Sequence, residues 1–223
     1  TALTDYRECP ALYRYRHIDR IEDALSGGSG GGFGVRYGTA VHTVLETWDF
    51  ADGDHITERI EQAAEKIEPS RLQDTFKASF ARFTGSSLYQ SIQLADEQHR
   101  EEPFAFIHND VVIRGSIDLR VKTGDSIMLV DYKTTHSDSG DIKEMKESHR
   151  LQICLYGLAV YKATGIIPSK LVVYYFSQGQ AFDIPCDEAL LEEIEDILSA
   201  TITSLDRGEF EPLQQDVFVS VFM

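Results

Sequence analysis

The chain has 223 residues, of which 42% are hydrophobic, and its formal net charge at pH 7 is −16. This length and apolar content can bury one core and leave room for a small helical lobe. No apolar run approaches the ~20 residues of a membrane span, and no signal peptide is visible. Cys9, Cys154 and Cys186 are odd in number and far apart, unlike a disulfide framework. We therefore expect a cytoplasmic protein with no attachment to a membrane.

The first fifty residues are predicted to be mainly helical. Thr4 or Asp5 can cap a helix that runs to about Ile21. Residues 26–32, SGGSGGG, have the composition of a flexible linker, natural or engineered. Residues 37–50 then have the apolar spacing i, i+3, i+4, i+7 of an amphipathic helix. This stripe consists of Val41, Val44, Leu45 and Trp48.

His42 lies at the edge of this apolar stripe, one helical turn before Glu46. From the spacing alone, a histidine at the edge of the core that bonds to Glu46 is a better interpretation than a metal ligand.

Residues 54–90 predict a lobe of two or three amphipathic helices, including 56–67 and 71–83. Strand character follows at residues 104–107. His99, Glu101 and Glu102 precede that strand and are candidate polar groups for a site. Exposure at the edge of a strand accounts better for these polar side chains, so they are not included in the predicted site.

The strongest local signal lies in residues 114–135, RGSIDLRVKTGDSIMLVDYKTT. Two apolar, β-branched runs flank Gly-Asp, which is typical of a two-residue hairpin turn. This turn pairs Thr123 with Ser126. The same register then places three apolar pairs on one face, namely Ile117 with Tyr132, Leu119 with Val130, and Val121 with Met128.

The other face of this hairpin carries charged side chains. The register sets Asp118 opposite Asp131, and Lys133 points to the same side two residues later. Opposed Cβ atoms are roughly 4.5–5.5 Å apart, and like charges at that distance destabilise a sheet. A surface Asp–Lys pair with a second Asp nearby is one explanation. For the three residues together we favour a site for a divalent cation such as Mg²⁺.

The remaining third predicts a polar loop at 134–140, a helix at 146–163, strands at 170–176 and 181–184, and a closing acidic helix at 187–205. Gln152 and Tyr156 have the spacing i, i+4 and so share one face of their helix. Helical and strand-like patterns mix along the chain, which indicates an α/β or α+β domain.

Four motifs together resemble the RecB-like branch of the PD-(D/E)xK nucleases. They cover essentially the whole chain and occur in the family's order. Gly-x-x-Asp at 115–118 with Asp-Tyr-Lys-Thr at 131–134 resembles the nuclease core. GTAVH at 38–42 and QICLY at 152–156 resemble the upstream histidine and downstream Gln-x-x-x-Tyr motifs. TDYRECP at 4–10 resembles the start of nuclease domains fused to UvrD-type helicases and of AddB-like proteins.

The resemblance implies one nuclease domain over residues 1–223. Its restriction-endonuclease-like core would have a central mixed β-sheet flanked by helices, with the helical lobe beside it. Asp118, Asp131 and Lys133 would be catalytic. His42, both aspartates and the backbone carbonyl of Tyr132 would hold Mg²⁺ or Mn²⁺, with Glu46 orienting His42. Gln152 and Tyr156 would position the DNA backbone or Lys133.

Some relatives in this family hold an iron–sulfur cluster through a cysteine at the position of Cys9 and three more near the C-terminus. Residues 216–223 contain no cysteine, and one cysteine cannot hold a cluster that takes four ligands. We therefore expect no iron–sulfur cluster.

The expected function is metal-dependent hydrolysis of DNA phosphodiester bonds, on single strands or ends, by the exo- or endonuclease part of a helicase-nuclease. The acidic charge suits a nuclease whose strand is delivered by a helicase, either a fused domain or a partner chain, because DNA-binding proteins usually carry a basic surface. Two alternatives stay open. One is a catalytically silent domain of the same fold that binds DNA or acts as a scaffold. The other is a stand-alone CRISPR-associated RecB-like exonuclease.

Overall fold

A mixed sheet of five strands forms the centre of the fold. The computed structural model describes residues 2–19, 31–50, 56–67, 69–134 and 145–211. The strands lie in the order β1 to β5, with β3 and β4 parallel and the other neighbours antiparallel. They are β1 (Glu97–His108), β2 (Val111–Thr123), β3 (Ser126–Lys133), β4 (Lys170–Tyr175) and β5 (Gln180–Ile184). The predicted central mixed sheet is therefore confirmed.

Helices cover both faces of this sheet. They are α1 (Ala2–Glu8), α2 (Pro10–Tyr13), α3 (Gly31–Thr47), α4 (Ile56–Glu65), α5 (Arg71–Thr84), α6 (Ser87–Gln93), α7 (Glu147–Thr164) and α8 (Glu188–Asp206). The first predicted helix is divided, because α1 ends before Pro10 and a π-helical turn, Arg14–Ile18, follows α2. Of the predicted linker, residues 26–30 lie outside the described residues, whereas Gly31 and Gly32 begin α3.

Two hydrophobic cores result, one on each face of the sheet. Helices α3 to α6 pack on one face, where aromatic side chains surround Trp48 and Phe83. Helices α4 and α5 lie within the range 54–90 of the predicted lobe, and α6 begins within it. Helices α7 and α8 cover the other face, where Ile127 and Leu129 are buried. The central residues of β3 and β4 are apolar, because both sides of these strands are buried. The face that carries the charged residues is thus also mostly core.

The predicted hairpin register is confirmed from Thr123–Ser126 to Leu119–Val130. Gly124 has φ +58°, the left-handed conformation that a tight turn needs and glycine adopts readily. The predicted pairs of Ile117 with Tyr132 and of Asp118 with Asp131 are wrong, because neither belongs to the β2–β3 ladder. Ile117 packs in the core beneath α7 and Tyr132 in the core of the helical lobe. Regular β2–β3 pairing ends at Leu119, so the alternation of faces does not continue to Ile117.

Strand β1 is longer than the sequence indicated and pairs with β2 from Glu97 to His108, with one interruption at Glu101. Asn109 and Asp110 form the turn, with φ +47° and +62°, as in the hairpin turns that favour Asn and Asp. Phe104 lies opposite Gly115. A Cβ on Gly115 would be 2.7 Å from Cζ of the Phe104 ring, so this glycine provides space for the ring.

Residues 135–140 of the predicted polar loop and the cysteine-free tail at 216–223 lie outside the described residues. Among the helices that are described, none is both long and apolar enough to cross a membrane.

We predict that Gly124→Ala lowers the free energy of unfolding by roughly 1–2 kcal/mol, because the left-handed conformation is unfavourable for a residue with a Cβ. Gly85→Ala is the matched control. Gly85 has φ −82°, and its added Cβ would meet only ordinary contacts. Its unfolding free energy should stay the same or rise by up to about 1 kcal/mol. Urea unfolding measures both variants, and an equal effect in the two would contradict the turn assignment.

Candidate active site

The two aspartates lie in the sheet, where water hardly reaches them. Asp131 on β3 is 0% exposed, and the Asp118 side chain on β2 is 12% exposed. Asp118 lies just past the last β2–β3 pair, and its Oδ2 accepts a hydrogen bond from the Tyr132 N–H at 2.9 Å. The Asp118 carboxylate therefore bonds the backbone of β3 at the point where the regular ladder has ended.

The electrostatics of these two acids are unfavourable without a cation. Burial raises the pKa of Asp118 well above its usual value, and the nearby charge of Asp131 raises it further. Burial also raises the pKa of Asp131, while the ammonium of Lys133 opposes that rise. Burial disfavours the charged form of each carboxyl, and two neighbouring negative charges repel each other. A bound divalent cation would remove this conflict.

Lys133 links Asp131 to helix α7 through a chain of polar contacts. Its Nζ lies 3.0 Å from Oδ1 and 2.9 Å from Oδ2 of Asp131. Only the contact to Oδ1 is aligned as a hydrogen bond, so Oδ2 forms none with the described residues. Lys133 Nζ also donates to Gln152 Oε1 at 2.8 Å, and Gln152 Nε2 donates to the Tyr156 hydroxyl at 2.7 Å. The structure thus brings Gln152 and Tyr156 to the predicted site, where Gln152 holds Lys133.

A second group of ligand atoms lies beside Asp118. His42 Nδ1 is 4.0 Å from Asp118 Oδ2 and 3.9 Å from Glu101 Oε1. One ligand atom from each of these three residues lies within 4.8 Å of the others. Asp131 is not part of this group, and its carboxylate is paired with Lys133. The structure therefore brings His42 to Asp118 as the sequence predicted, and it adds Glu101.

Glu101 is held in an uncommon backbone conformation, with φ +45°. Positive φ in a residue other than glycine is strained and is often found at functional sites. Glu101 lies between the pairs Arg100–Leu119 and Glu102–Ile117, which places it opposite Asp118. Its Oε2 accepts a hydrogen bond from Ser116 Oγ at 3.1 Å. Recognition of Asn109-Asp110 as a turn would have revealed this position from the sequence.

The other two polar candidates of this region, His99 and Glu102, do not join the site. His99 Nε2 lies 3.5 Å from Glu97, and Glu102 accepts a hydrogen bond from Arg120 at 2.7 Å. The hypothesis that Glu46 orients His42 is not supported by any contact among the described residues. Glu46 is exposed and lines a separate polar groove beside Arg100, whereas His42 faces the acids of β1 and β2.

His149 is a polar neighbour of the site that sequence reasoning did not identify. Its Nδ1 is 2.8 Å from the Tyr175 hydroxyl, and Tyr175 pairs with Lys133 across β3 and β4. Burial lowers the pKa of His149 to about 4, and the charge of Lys133 acts in the same direction. The imidazole is therefore neutral at pH 7 and adds no positive charge.

The cysteines have the properties of core residues. Burial raises the pKa of Cys154 to about 12 and that of Cys186 to about 11. Both are therefore thiols at neutral pH and poor nucleophiles, since the thiolate is the reactive form.

A mixed sheet flanked by helices, with two aspartates and a lysine on neighbouring strands, is the arrangement of restriction-endonuclease-like nucleases. The profile of the PD-(D/E)XK nuclease superfamily matches residues 1–216. The chain therefore belongs to this superfamily, and the predicted family is confirmed.

Relatives and a solved structure agree with this assignment. An ATP-dependent helicase/nuclease protein from Acetivibrio thermocellus is 27% identical over 64% of the chain. The protein of the same name from Ruminiclostridium cellulolyticum is 26% identical over 78%. The chain covers only 13% and 16% of their respective lengths. A crystal structure of an exonuclease candidate from Eubacterium rectale shares the fold, with a TM-score of 0.56 at 13% identity over 94% of this chain and 82% of that one.

We predict that Lys133→Met lowers the free energy of unfolding by about 3 kcal/mol or more, because it leaves the fully buried Asp131 carboxylate without its cation. The double variant Asp131→Asn, Lys133→Met should recover most of this loss, since it removes the uncompensated charge. Urea unfolding in EDTA measures both. If the double variant is no more stable than the single one, the pair does not have this role.

Proposed function

We propose that the chain is a metal-dependent deoxyribonuclease that hydrolyses DNA phosphodiester bonds, on single strands or DNA ends, within a helicase-nuclease. The observation that carries this proposal is the meeting of the buried Asp131 and the half-buried Asp118 with Lys133 and His42 in a member of a nuclease superfamily.

The donor set fits a hard divalent cation. Carboxylate oxygens suit Mg²⁺ and Mn²⁺, and one imidazole is compatible with Mn²⁺ and related ions. His42, Glu101 and Asp118 provide the converging ligand atoms. Asp131 would contribute Oδ2, which forms no aligned hydrogen bond with the described residues. The backbone carbonyl of Tyr132 is the remaining predicted ligand. When bound, the ion would lower the pKa of a water molecule and neutralise charge on the phosphate.

The chain's own residues would orient the reaction. Asp131 and Gln152 fix the position of the Lys133 ammonium from two sides. The ammonium would position the attacking water or help to deprotonate it. It would also offset negative charge that develops on the phosphate oxygens in the transition state. Gln152 in turn is fixed by the Tyr156 hydroxyl. This rigid chain would keep the lysine in place without the substrate having to order it.

The names of the relatives support a helicase partner. Both are described as parts of an ATP-dependent helicase/nuclease, and the chain matches a small fraction of each. The net charge of −16 fits a nuclease to which a motor delivers the strand. A motor would compensate for weak electrostatic attraction between an acidic protein and DNA.

We predict that the 223-residue chain cleaves labelled DNA with Mg²⁺ or Mn²⁺, and that Asp131→Asn and Lys133→Met each reduce the rate by about 10²-fold or more. Lys122→Met is the matched control, because Lys122 lies on β2 but pairs with Glu97 at the surface. Equal cleavage by the Lys122 and Lys133 variants would refute the site. Metal binding without cleavage by the unaltered chain would instead favour the catalytically silent alternative.

We predict that Glu101→Gln weakens Mn²⁺ binding about 10-fold or more, because it removes a charged ligand from the group around His42. Isothermal titration calorimetry measures the affinity directly and does not depend on activity. Glu97→Gln is the control, since Glu97 is on the same strand and its side chain is 48% exposed. A Glu101 variant that binds Mn²⁺ as tightly as the Glu97 variant would remove Glu101 from the metal site.

A further inference from the structure

An apolar groove of about 350 Å³ opens beside the candidate active site. Its walls come from α1, α2, the β1–β2 hairpin, α7 and α8. Three aromatic residues take part in the lining, namely Tyr13, Phe104 and Tyr156. The volume is in the range of small-molecule sites, so it can accommodate a group of the size of a nucleobase.

Two residues connect this groove to the candidate active site. Tyr156 lines the groove, and its hydroxyl accepts the hydrogen bond from Gln152, which holds Lys133. Ser116 also lines the groove, and its hydroxyl donates to Glu101. A phosphate at the metal ligands would therefore have the groove as its immediate neighbour.

The charge of the groove differs from that of the chain as a whole. Acids outnumber Lys and Arg by 37 to 21 in the sequence. None of the described residues that line the groove is acidic, and Arg114 is the only charged one. Arg114 is exposed and has no ion-pair partner among the described residues. Its guanidinium is free to meet a phosphate group.

The shape of the groove depends on the packing of Phe104. The ring lies over Gly115, where a Cβ would come within 2.7 Å of it, and it meets Tyr156 edge-on with centroids 5.8 Å apart. Because Gly115 has no Cβ, the Phe104 ring can pack against the sheet between the hairpin and α7.

We infer that this groove binds an unpaired nucleobase next to the phosphate at the candidate active site, with Arg114 on a neighbouring phosphate. The inference rests on the proposed nuclease function and specifies its substrate as a single strand. Apolar and aromatic walls bind an exposed base by stacking, whereas a paired base stays within its duplex. An apolar protein segment is the competing occupant. The base is favoured because the groove adjoins the candidate active site and the one charged residue among its described lining residues, Arg114, is positive.

The binding test uses the 223-residue chain in EDTA with a fluorescent single-stranded oligonucleotide, followed by anisotropy. Phe104→Ala should raise the dissociation constant about fivefold to tenfold through loss of stacking. Arg114→Gln should raise it severalfold and reduce its dependence on salt. Ile107→Ala and Lys77→Gln are the matched controls, because both residues are exposed and neither lines the groove. The controls should bind like the unaltered chain.

A second measurement changes the substrate and leaves the protein intact, so misfolding of a variant cannot affect it. Single abasic residues are placed at successive positions of the oligonucleotide, and binding and Mn²⁺-dependent cleavage are measured. One position should show a loss of affinity of about fivefold or more, and the cut site should keep a constant distance from that position. The Phe104→Ala variant should no longer distinguish the abasic oligonucleotides.

The outcomes separate this inference from the proposed function. Cleavage that is unaffected by Phe104→Ala, Arg114→Gln and every abasic position would overturn the base site while leaving the nuclease intact, and would point to a protein occupant. Binding that depends on Phe104 without any cleavage would support the base site and refute the nuclease. Absence of both DNA binding and cleavage by the unaltered chain would overturn both.

Discussion

The burial of acidic charge in the sheet is the constraint on which the rest of the site depends. Asp131 is inaccessible to water and Asp118 nearly so, and burial raises the pKa of both. Buried carboxylates persist only where they are paired, hydrogen-bonded or bound to a metal. Lys133 compensates one of them, and the Tyr132 N–H partly compensates the other. The remaining negative charge near Asp118 is what a bound cation would compensate.

The architecture of the sheet explains why the polar residues meet at this point. Pairing between β2 and β3 ends at Leu119, and the β1–β2 ladder is interrupted at Glu101 on the other side of Asp118. An interruption of pairing frees backbone and side chains to turn, as at the irregular strand positions that often lie beside active sites. Helix α3 brings His42 to the opening, and helix α7 brings Gln152 and Tyr156. One helix from each side of the sheet therefore supplies residues to the same cluster.

The two aspartates of the family motif have different surroundings in this structure. Asp131 is held by Lys133, whereas the converging ligand atoms belong to His42, Glu101 and Asp118. Asp131 and Lys133 form a neutral, fixed pair that helix α7 supports through Gln152. The His42 group is more accessible, with side chains of His42 and Glu101 that are 38% and 37% exposed. Under the proposed function, the accessible His42 group would hold a metal and the substrate. The buried Asp131–Lys133 pair would keep the lysine in position beside them.

The sequence by itself determined most of the helices and strands and identified most residues of the candidate site. Gly124-Asp125 fixed the β2–β3 register as far as Leu119, and helical spacing placed Gln152 and Tyr156 on one face of their helix, because turn chemistry and side-chain periodicity are local properties. His42 was identified through the family resemblance, since its spacing alone favoured a bond to Glu46. Tertiary structure alone decided that Ile117 lies in the opposite core from Tyr132 and that His42 lies beside both Asp118 and Glu101. These outcomes depend on where strand pairing stops and how the chain bends there. That point is set by packing between distant segments, which local patterns do not encode.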